Sequence, residues 1–383
     1  MGILQSSRIK SSTERRGQTI EREKPSSFVV KKVDVTTIKK AIEPDQTVFD
    51  FTKEASQDLQ LWVRTNGTIE IKQSGTQLIE EGIVSNDVVI LMKGTVAVNT
   101  TDHNGDSQRL AILSQGSIVG EMSWLERRPA VAEIVTETES KVLYLSIEKL
   151  DKMRSNEPKL AAEWQQLIAR KLASQIKNQN AWIHRYEGSG AEIEPLRKVL
   201  VMFAELNDID LDQIATMGSL RRVPPGGILL KQEEEVASIF LILAGEAEIL
   251  INVDGSTKKV GTSRRGELLG ELTLLTSEAQ GASATVKSTN GMELLELDKV
   301  KLKEALSDTP EFADRFFRSL NCMLSQRSRD QLLARQLAAR SRTAEAEDDE
   351  DALDLTQLGN INRAGQRFHA LCQKFQNGGV ARL

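Results

Sequence analysis

The sequence is poor in the residue types that build disulfide frameworks and metal centres. Only two cysteines, Cys322 and Cys372, and three histidines occur among its 383 residues. Two cysteines cannot form the set of bridges that holds a small secreted domain together, and so few Cys and His residues disfavour a metal site. The chain also lacks an apolar run of membrane-spanning length and a secretory signal. We therefore expect a cytoplasmic protein that carries no metal or cofactor.

Familiar catalytic motifs are missing as well. The chain contains no Walker loop, no Gly-x-Ser-x-Gly turn, no paired-histidine metal motif and no Cys/His nucleophile arrangement. We therefore predict that the protein is not an enzyme. Its formal net charge of −5 provides no overall attraction for nucleic acid, which is accordingly not an expected partner.

What the chain does contain is one block of sequence that occurs twice, roughly 150 residues apart. The first copy, Ile118 to Val135, reads IVGEMSWLERRPAVAEIV, and the second, Leu268 to Val286, reads LLGELTLLTSEAQGASATV. Each copy follows, at nearly the same distance, a strand-like stretch that contains a glycine, VVILMKGTVAV and IFLILAGEAEI. A repeat of this length is too long for a solenoid unit and indicates a duplicated domain.

Each copy combines strand signals with helix signals. The runs IEIKQSG, DVVILMKGTVAV and SIFLILAGEAEIL are rich in β-branched and aliphatic residues and are bounded by turn formers, which predicts short strands. After each β block the apolar residues change to a helical period. Pro158 and Pro310 lie in these stretches, where each is expected to break or to start a helix.

The repeated block resembles the cyclic-nucleotide-binding domain, the fold of bacterial catabolite-activator proteins and of protein kinase A regulatory subunits. In that family a phosphate-binding cassette reads Gly-Glu-hydrophobic-Ala-Leu-Leu, three variable residues, then Pro-Arg-Ala-Ala-Thr-Val. The resemblance implies an α+β protein with two double-stranded β-helix (jelly-roll) domains, each followed by helices. The charged, aromatic-poor composition of the ends predicts that they are disordered. The expected boundaries are a basic segment at 1–45, a first domain at 46–187, a second domain at 188–340, and an acidic linker with a short amphipathic helix at 341–383.

The resemblance also implies where a ligand, cyclic AMP or cyclic GMP, would bind. In the family the cassette helix directs backbone N–H groups at the cyclic phosphate, a glutamate accepts a hydrogen bond from the ribose 2′-hydroxyl, and an arginine pairs with the phosphate oxygens. Carried onto this chain, the glutamates are Glu121 and Glu271. The full set of implied ligand-binding residues is Gly120, Glu121, Met122, Arg128, Gly270, Glu271, Leu272, Ser283, Ala284 and Thr285.

The chain departs from the family at the arginine. After Pro129 the arginine position holds Ala130, while Arg127 and Arg128 come before the proline and need a different path to the phosphate. Glu133 falls where the family has a small hydroxyl residue, and we expect its carboxylate to repel a phosphate.

The second copy has no cassette arginine at all, and Glu233 replaces the glycine that the upstream family pattern carries. Ser283 and Thr285 are the polar side chains expected at the far side of that pocket. Loss of one charged hydrogen-bond partner costs about 1.5–3 kcal/mol, or roughly 10- to 150-fold in affinity. Tight binding of cyclic AMP is therefore disfavoured in both copies.

Three functional interpretations remain open. The protein is a ligand-gated regulator that senses a cyclic mononucleotide weakly, a structural scaffold with inert pockets, or an inhibitory subunit of a kinase. The third rests on Arg15-Arg16-Gly17-Gln18, which resembles a pseudosubstrate. A DNA-binding role is disfavoured because an acidic run, and too few residues for a helix-turn-helix domain, follow the second copy. A protein partner is expected. The apolar faces of the helices after each β-roll are compatible either with homo-oligomerisation or with packing inside each domain.

The two ends of the chain differ in charge. Residues 1–40 carry ten Lys and Arg against four Asp and Glu, whereas residues 344–354 form an acidic run. Beyond that run, Ile361 to Phe375 is predicted to form an amphipathic helix that docks on the body of the protein, with binding to a partner as the alternative. Gly2 fits a short N-myristoylation pattern. The pattern is weak, and membrane attachment is not expected.

Overall fold

The fold was examined in a computed structural model, which describes residues 49–101, 107–185, 201–253, 255–275, 281–340 and 355–378. The predictions made for residues 1–45, for Arg15–Gln18 and for the acidic run at 344–354 lie outside the described residues. Within the described parts the chain forms two β-rolls with helices around them, so the predicted α+β class is confirmed.

The first domain places its β-roll between short entry helices and a long exit helix. The entry helices are α1 (Phe51–Glu54) and α2 (Gln57–Asn66), and the helices after the roll are α4 (Ile147–Asn156) and the exit helix α5 (Pro158–Arg185). The cassette helix α3 (Glu121–Glu126) interrupts the strands. The strands are β1 (Thr68–Lys72), β2 (Gln77–Ile79), β3 (Asp87–Lys93), β4 (Thr95–Thr101), β5 (Ser107–Ser114), β6 (Ile118–Val119), β7 (Glu133–Thr136) and β8 (Ser140–Ser146).

The second domain repeats this order. Its entry helices are α6 (Val201–Glu205) and α7 (Asp208–Met217), its cassette helix is α8 (Leu272–Leu275), and α9 (Lys299–Asp308) and the exit helix α10 (Pro310–Arg340) follow the roll. The strands are β9 (Gly218–Val223), β10 (Ile228–Leu230), β11 (Ser238–Val253), β12 (Ser256–Arg264), β13 (Leu268–Leu269) and β14 (Thr285–Asp298). Both exit helices begin at the prolines, as the sequence indicated, because proline lacks the N–H that the first helical turn leaves unbonded.

The strands of the two rolls are joined differently. In the first domain they form two antiparallel four-stranded sheets, ordered β1-β8-β3-β6 and β2-β7-β4-β5. In the second domain the long strands β11 and β14 pass through both layers, so that all six strands belong to one sheet. The pairing of β11 with β14 shifts register at two places, which lets the long strands bend around the roll.

The described residues form three apolar core clusters. One fills the first roll around Val89, Val96 and Ile134, and one fills the second roll around Phe240, Ile242 and Val286. The third and largest lies among the helices and contains residues of both domains, including α5 and α10, which pack against each other. The two domains therefore share one helical core in addition to their separate roll interiors.

The last described helix, α11 (Leu355–Gly378), packs on the entry helices of the second domain. The rings of Phe368 and Phe203 lie 4.7 Å apart, and Arg367 donates hydrogen bonds to the carbonyl oxygens of Phe203 and Ala204 at 3.2 and 3.3 Å. The structure thus contains a docked helix in this region that starts earlier than the predicted Ile361. Among the described helices, none combines the length and the apolar character needed to cross a bilayer.

Candidate functional site

Each candidate site is built around the first turn of a cassette helix. Gly120 and Gly270 precede these helices with φ of 84° and 79°. A Cβ on Gly120 would lie 2.8 Å from the carbonyl oxygen of Asp87, so neither the backbone angle nor the space admits a side chain there. The glycine therefore lets the chain turn tightly from strand to helix and places the following glutamate inside the protein.

Glu121 is the first residue of α3 and is buried. Its carboxylate accepts a hydrogen bond from the Lys171 ammonium group on the exit helix α5, and the two groups form an ion pair. The side chain of Lys171 is 16 % exposed, so this pair is largely removed from water. A buried carboxylate needs such a cation, because an isolated charge in the interior is costly.

Glu271 occupies the same place in the second domain and is held by an arginine. The Arg327 guanidinium of exit helix α10 binds the Glu271 carboxylate, and its second Nη lies 3.1 Å from Glu267 and 3.0 Å from the carbonyl oxygen of Leu268. Burial raises the pKa of Glu271, and the charge of Arg327 opposes part of that shift. This site therefore contains two buried carboxylates and one cation.

The position of the family arginine can be assigned from backbone hydrogen bonds. The carbonyl oxygen of Ala130 accepts from the Gly82 N–H of the β2–β3 loop, and the Ala130 N–H donates to the Ile83 carbonyl oxygen. Ala282 accepts from Glu233 and donates to Glu234 in the same way, and all four bonds are between 2.8 and 3.0 Å. The two alanines are thus structurally equivalent. The structure therefore holds a methyl group in both domains where the resemblance requires a guanidinium.

The two arginines near the first cassette are directed elsewhere. Arg127, which ends α3 at φ 54°, forms an ion pair with Asp151 of α4 at 2.6 Å. The Arg128 guanidinium lies 3.9 Å from the Glu126 carboxylate, and the carbonyl oxygen of Arg128 accepts a 2.6 Å bond from the Ser123 hydroxyl. Both guanidinium groups therefore pair with acids of α3 and α4.

The expectation that Glu133 opposes a phosphate is wrong. Its neighbour Ile134 belongs to the interior cluster of the first roll, against which Ala130 also packs. Because side chains alternate across a strand, Glu133 lies on the opposite face, where its carboxylate accepts bonds from Asn99 at 3.1 Å and Gln77 at 3.3 Å. Its charge is therefore directed away from the roll interior.

The same alternation separates the polar residues of the second cassette. Val286 belongs to the interior cluster of the second roll, and Ala284 is buried, whereas Ser283 and Thr285 are half-buried. The Thr285 hydroxyl accepts the backbone N–H of Gln232 at 3.1 Å. Thr285 therefore already contributes to the attachment of the β10–β11 loop.

The remaining predicted residues are apolar and form the packed side of each cassette helix. Leu272 is buried in the shared helical core, and Met122 packs against the same core. The cations Lys171 and Arg327 were not predicted from the sequence, because both lie on exit helices far along the chain from their glutamates. Within the described part of the chain, no cluster of His, Cys, Asp and Glu is arranged to hold a metal ion.

This architecture defines a class, a β-roll with a glycine–glutamate cassette and a following exit helix. Residues 71–157 and 220–309 both match the family model described as the cyclic nucleotide-binding domain. The chain therefore contains two cyclic nucleotide-binding domains in tandem, as predicted.

Known proteins resemble this chain over limited stretches. The cyclic GMP-binding protein C of Dictyostelium discoideum is 25 % identical over 114 residues, which cover 30 % of this chain and 4 % of that protein. The potassium channel KAT3 of Oryza sativa subsp. japonica is 24 % identical over 113 residues, which cover 30 % of this chain and 22 % of the channel. The chain thus spans less than a quarter of either relative.

Solved structures are similar at low identity. The regulatory domain of Toxoplasma gondii protein kinase A, crystallised with cyclic AMP, shares 13 % identity with a TM-score of 0.28, covering 77 % of this chain and 96 % of that one. The catabolite activator protein of Thermus thermophilus shares 19 % identity with a TM-score of 0.30, covering 45 % of this chain and 74 % of that one.

Proposed function

We propose that this protein is a non-enzymatic regulatory scaffold that acts through protein partners, and that its two cassettes are stabilised by its own cations and not by a bound cyclic nucleotide. One observation carries the proposal. Each cassette glutamate is paired with a cation from the exit helix of its own domain, Lys171 for Glu121 and Arg327 for Glu271.

Neither cassette has a cationic side chain at the position of the family arginine, where a phosphate would need its partner. Ala130 and Ala282 provide no charge, and a cyclic phosphate placed beside them would lose a charged hydrogen bond worth about 1.5–3 kcal/mol. A ribose hydroxyl would also have to share each glutamate with its bound cation. The geometry therefore supports weak cyclic-nucleotide binding at most.

A weak sensor is the second candidate function. The cassette glycines and glutamates are kept in both domains, and a carboxylate has enough lone pairs to accept a ribose hydroxyl beside a cation. In this candidate, cyclic AMP or cyclic GMP binds at high concentration and modulates the contacts with a partner.

Thermal unfolding with cyclic AMP and cyclic GMP tests the proposal. The wild-type protein is compared with Ala130→Arg and Ala282→Arg, which restore the family arginine in the first and second cassette. We expect little shift of the wild-type midpoint and a saturable rise in at least one restored variant. A ligand at 100 times its Kd adds about 2.7 kcal/mol to native stability, which gives a measurable shift.

A clear and saturable shift of the wild-type midpoint would overturn the scaffold proposal. If Glu271→Ala then abolished that shift, the second pocket would be the sensor. If the shift survived in Glu271→Ala and was lost in Glu121→Ala, the first pocket would be the sensor.

A further inference from the structure

Exit helix α10 contacts the cassettes of both domains. Arg327 binds Glu271 of its own cassette. Arg329, two residues later, reaches the other domain, where its Nε donates to the Glu126 carboxylate at the end of α3 at 2.7 Å. Two residues correspond to about 200° of rotation around an α-helix, so the two arginines project from opposite sides of α10. One helix therefore lies between the two cassettes and binds both.

The contact with the first cassette is buried. The side chains of Arg329 and Glu126 are 6 % and 2 % exposed. Arg329 also donates to the carbonyl oxygen of Pro129 at 3.0 Å, and the Ser325 hydroxyl donates to Glu126. Buried charges held by several hydrogen bonds are costly to separate, because each would remain unpaired in the interior.

Two more residues of α10 rest on the same cassette helix. The Arg318 guanidinium lies 4.7 Å from the centre of the Trp124 ring, and the Cys322 thiol is 3.7 Å from the carbonyl oxygen of Leu125. Exit helix α5 of the first domain in turn packs against the second cassette helix α8. Each exit helix therefore contacts the cassette of the other domain.

Polar bonds fix the two exit helices against each other. The Asn321 amide of α10 donates to the side-chain and backbone oxygens of Gln165 on α5, at 2.8 and 2.9 Å. The Gln175 amide of α5 donates to the Ser328 hydroxyl at 2.9 Å. Buried polar pairs of this kind favour one register of two packed helices. These bonds therefore fix the position of α10 against α5 between the two cassettes.

We propose that α10 couples the two cassettes, so that release of Glu271 from Arg327 in the second domain weakens the hold of Arg329 on Glu126 in the first. Such coupling is reciprocal by thermodynamic necessity, and release of the first cassette weakens the second to the same extent. This coupling is independent of what the pockets bind, and so it does not rest on the proposed function.

The chain contains its own reporter for this coupling. Cys322 lies at the contact between α10 and α3, and burial raises the pKa of its thiol to about 12, so it reacts slowly while the contact is closed. Changing the only other cysteine by Cys372→Ser leaves Cys322 as the single thiol. The rate at which a maleimide labels Cys322 then reports the opening of the first cassette.

The decisive variant is Glu271→Gln, which removes a charge from the second cassette without changing α10 or the first domain. We expect Cys322 to be labelled about tenfold faster, because loss of a charged bond of about 1.5 kcal/mol corresponds to that factor. Arg329→Gln, which releases the first cassette directly, should accelerate labelling at least as much. Arg222→Gln removes the exposed pair with Glu293 and should leave the rate unchanged.

A matched control separates coupling from general loss of stability. Ile242→Val weakens the interior of the second roll without touching a cassette, and we expect much less acceleration than in Glu271→Gln. The proposal fails if Glu271→Gln labels at the wild-type rate. It also fails if Ile242→Val, at an equal loss of global stability in urea, accelerates labelling as much as Glu271→Gln.

Discussion

The two cassettes begin alike and are stabilised differently. Both start with a glycine at positive φ and a buried glutamate, yet the first holds its glutamate with a lysine and the second uses an arginine that also binds another buried acid, Glu267. The lysine is a single point charge, whereas the arginine presents a planar fork of donors that can serve two carboxylates. The comparison shows that two cassettes with the same Gly-Glu start, and with alanine at the arginine position of the family, satisfy the buried carboxylate by different means.

The second cassette should therefore be the more sensitive to loss of its cation. Arg327→Ala leaves Glu267 and Glu271 buried without the cation that binds both, and we expect it to cost about 3–5 kcal/mol, the largest of the effects predicted for the two cassettes. Urea unfolding measures the loss. Addition of Glu271→Gln to Arg327→Ala should recover part of it, and a double variant no more stable than Arg327→Ala would contradict this account.

The first cassette should lose less. Lys171→Ala leaves only Glu121 without its partner, so we expect a cost of about 1–3 kcal/mol in the same urea experiment. Lys152→Ala, which removes an exposed pair with Glu148 on α4, is the control and should have no measurable effect. A larger loss of unfolding free energy in Lys171→Ala than in Arg327→Ala would contradict the predicted difference between the two cassettes.

The loop before each cassette offers a smaller difference between the domains. Gly82 and Glu233 make the same backbone bond to the equivalent alanines and have φ of 80° and 68°. A residue with a Cβ is strained by about 1–2 kcal/mol in this conformation, and replacing it with glycine removes that strain. The greater flexibility of glycine in the unfolded chain cancels part of the gain in stability. We expect Glu233→Gly to stabilise the protein by about 0.5–1 kcal/mol, and Gly82→Ala to destabilise it by about 1 kcal/mol. A destabilising Glu233→Gly would show that the Glu233 side chain makes a contact of its own.

The smallest predicted effect concerns pH. Because burial raises the pKa of Glu271, the native protein retains this proton at a pH at which the unfolded chain has lost it. The contribution of Glu271 to stability therefore falls as pH rises from the ordinary pKa of about 4.3 through the raised value. The stability of Glu271→Gln relative to wild type should therefore increase as pH rises through this range, and urea unfolding midpoints at each pH measure the difference. A constant difference between the two proteins would indicate an ordinary pKa.

The sequence was sufficient to predict two β-roll domains with helices and the starts of the cassettes. Local signals predicted these features. The runs rich in β-branched and aliphatic residues form β1, β3, β4 and β11, the two prolines start α5 and α10, and each Gly-Glu pair lies at the start of a cassette helix. The missing arginine was also readable, because the cassette pattern fixes the place of Ala130 and Ala282.

The cations that pair with the cassette glutamates were not readable from the sequence. Lys171 lies 50 residues from Glu121, and Arg329 lies 203 residues from Glu126, so these pairs depend on how the exit helices pack. Glu133 shows a second limit, since assigning it to a position in the motif does not say which face of the strand it occupies. Only strand alternation against a known interior residue, here Ile134, decides that.

The central claim is that cations of the protein itself hold both cassettes closed, and backbone hydrogen exchange in the two cassette segments tests it most directly. Exchange is followed by mass spectrometry over residues 118–128 and 268–275, without ligand and with millimolar cyclic AMP or cyclic GMP. The account predicts slow exchange in both segments without ligand, little change on addition of either nucleotide, and faster exchange in Lys171→Ala and Arg327→Ala. Fast exchange in the free protein that becomes slow when a cyclic nucleotide is added would contradict it.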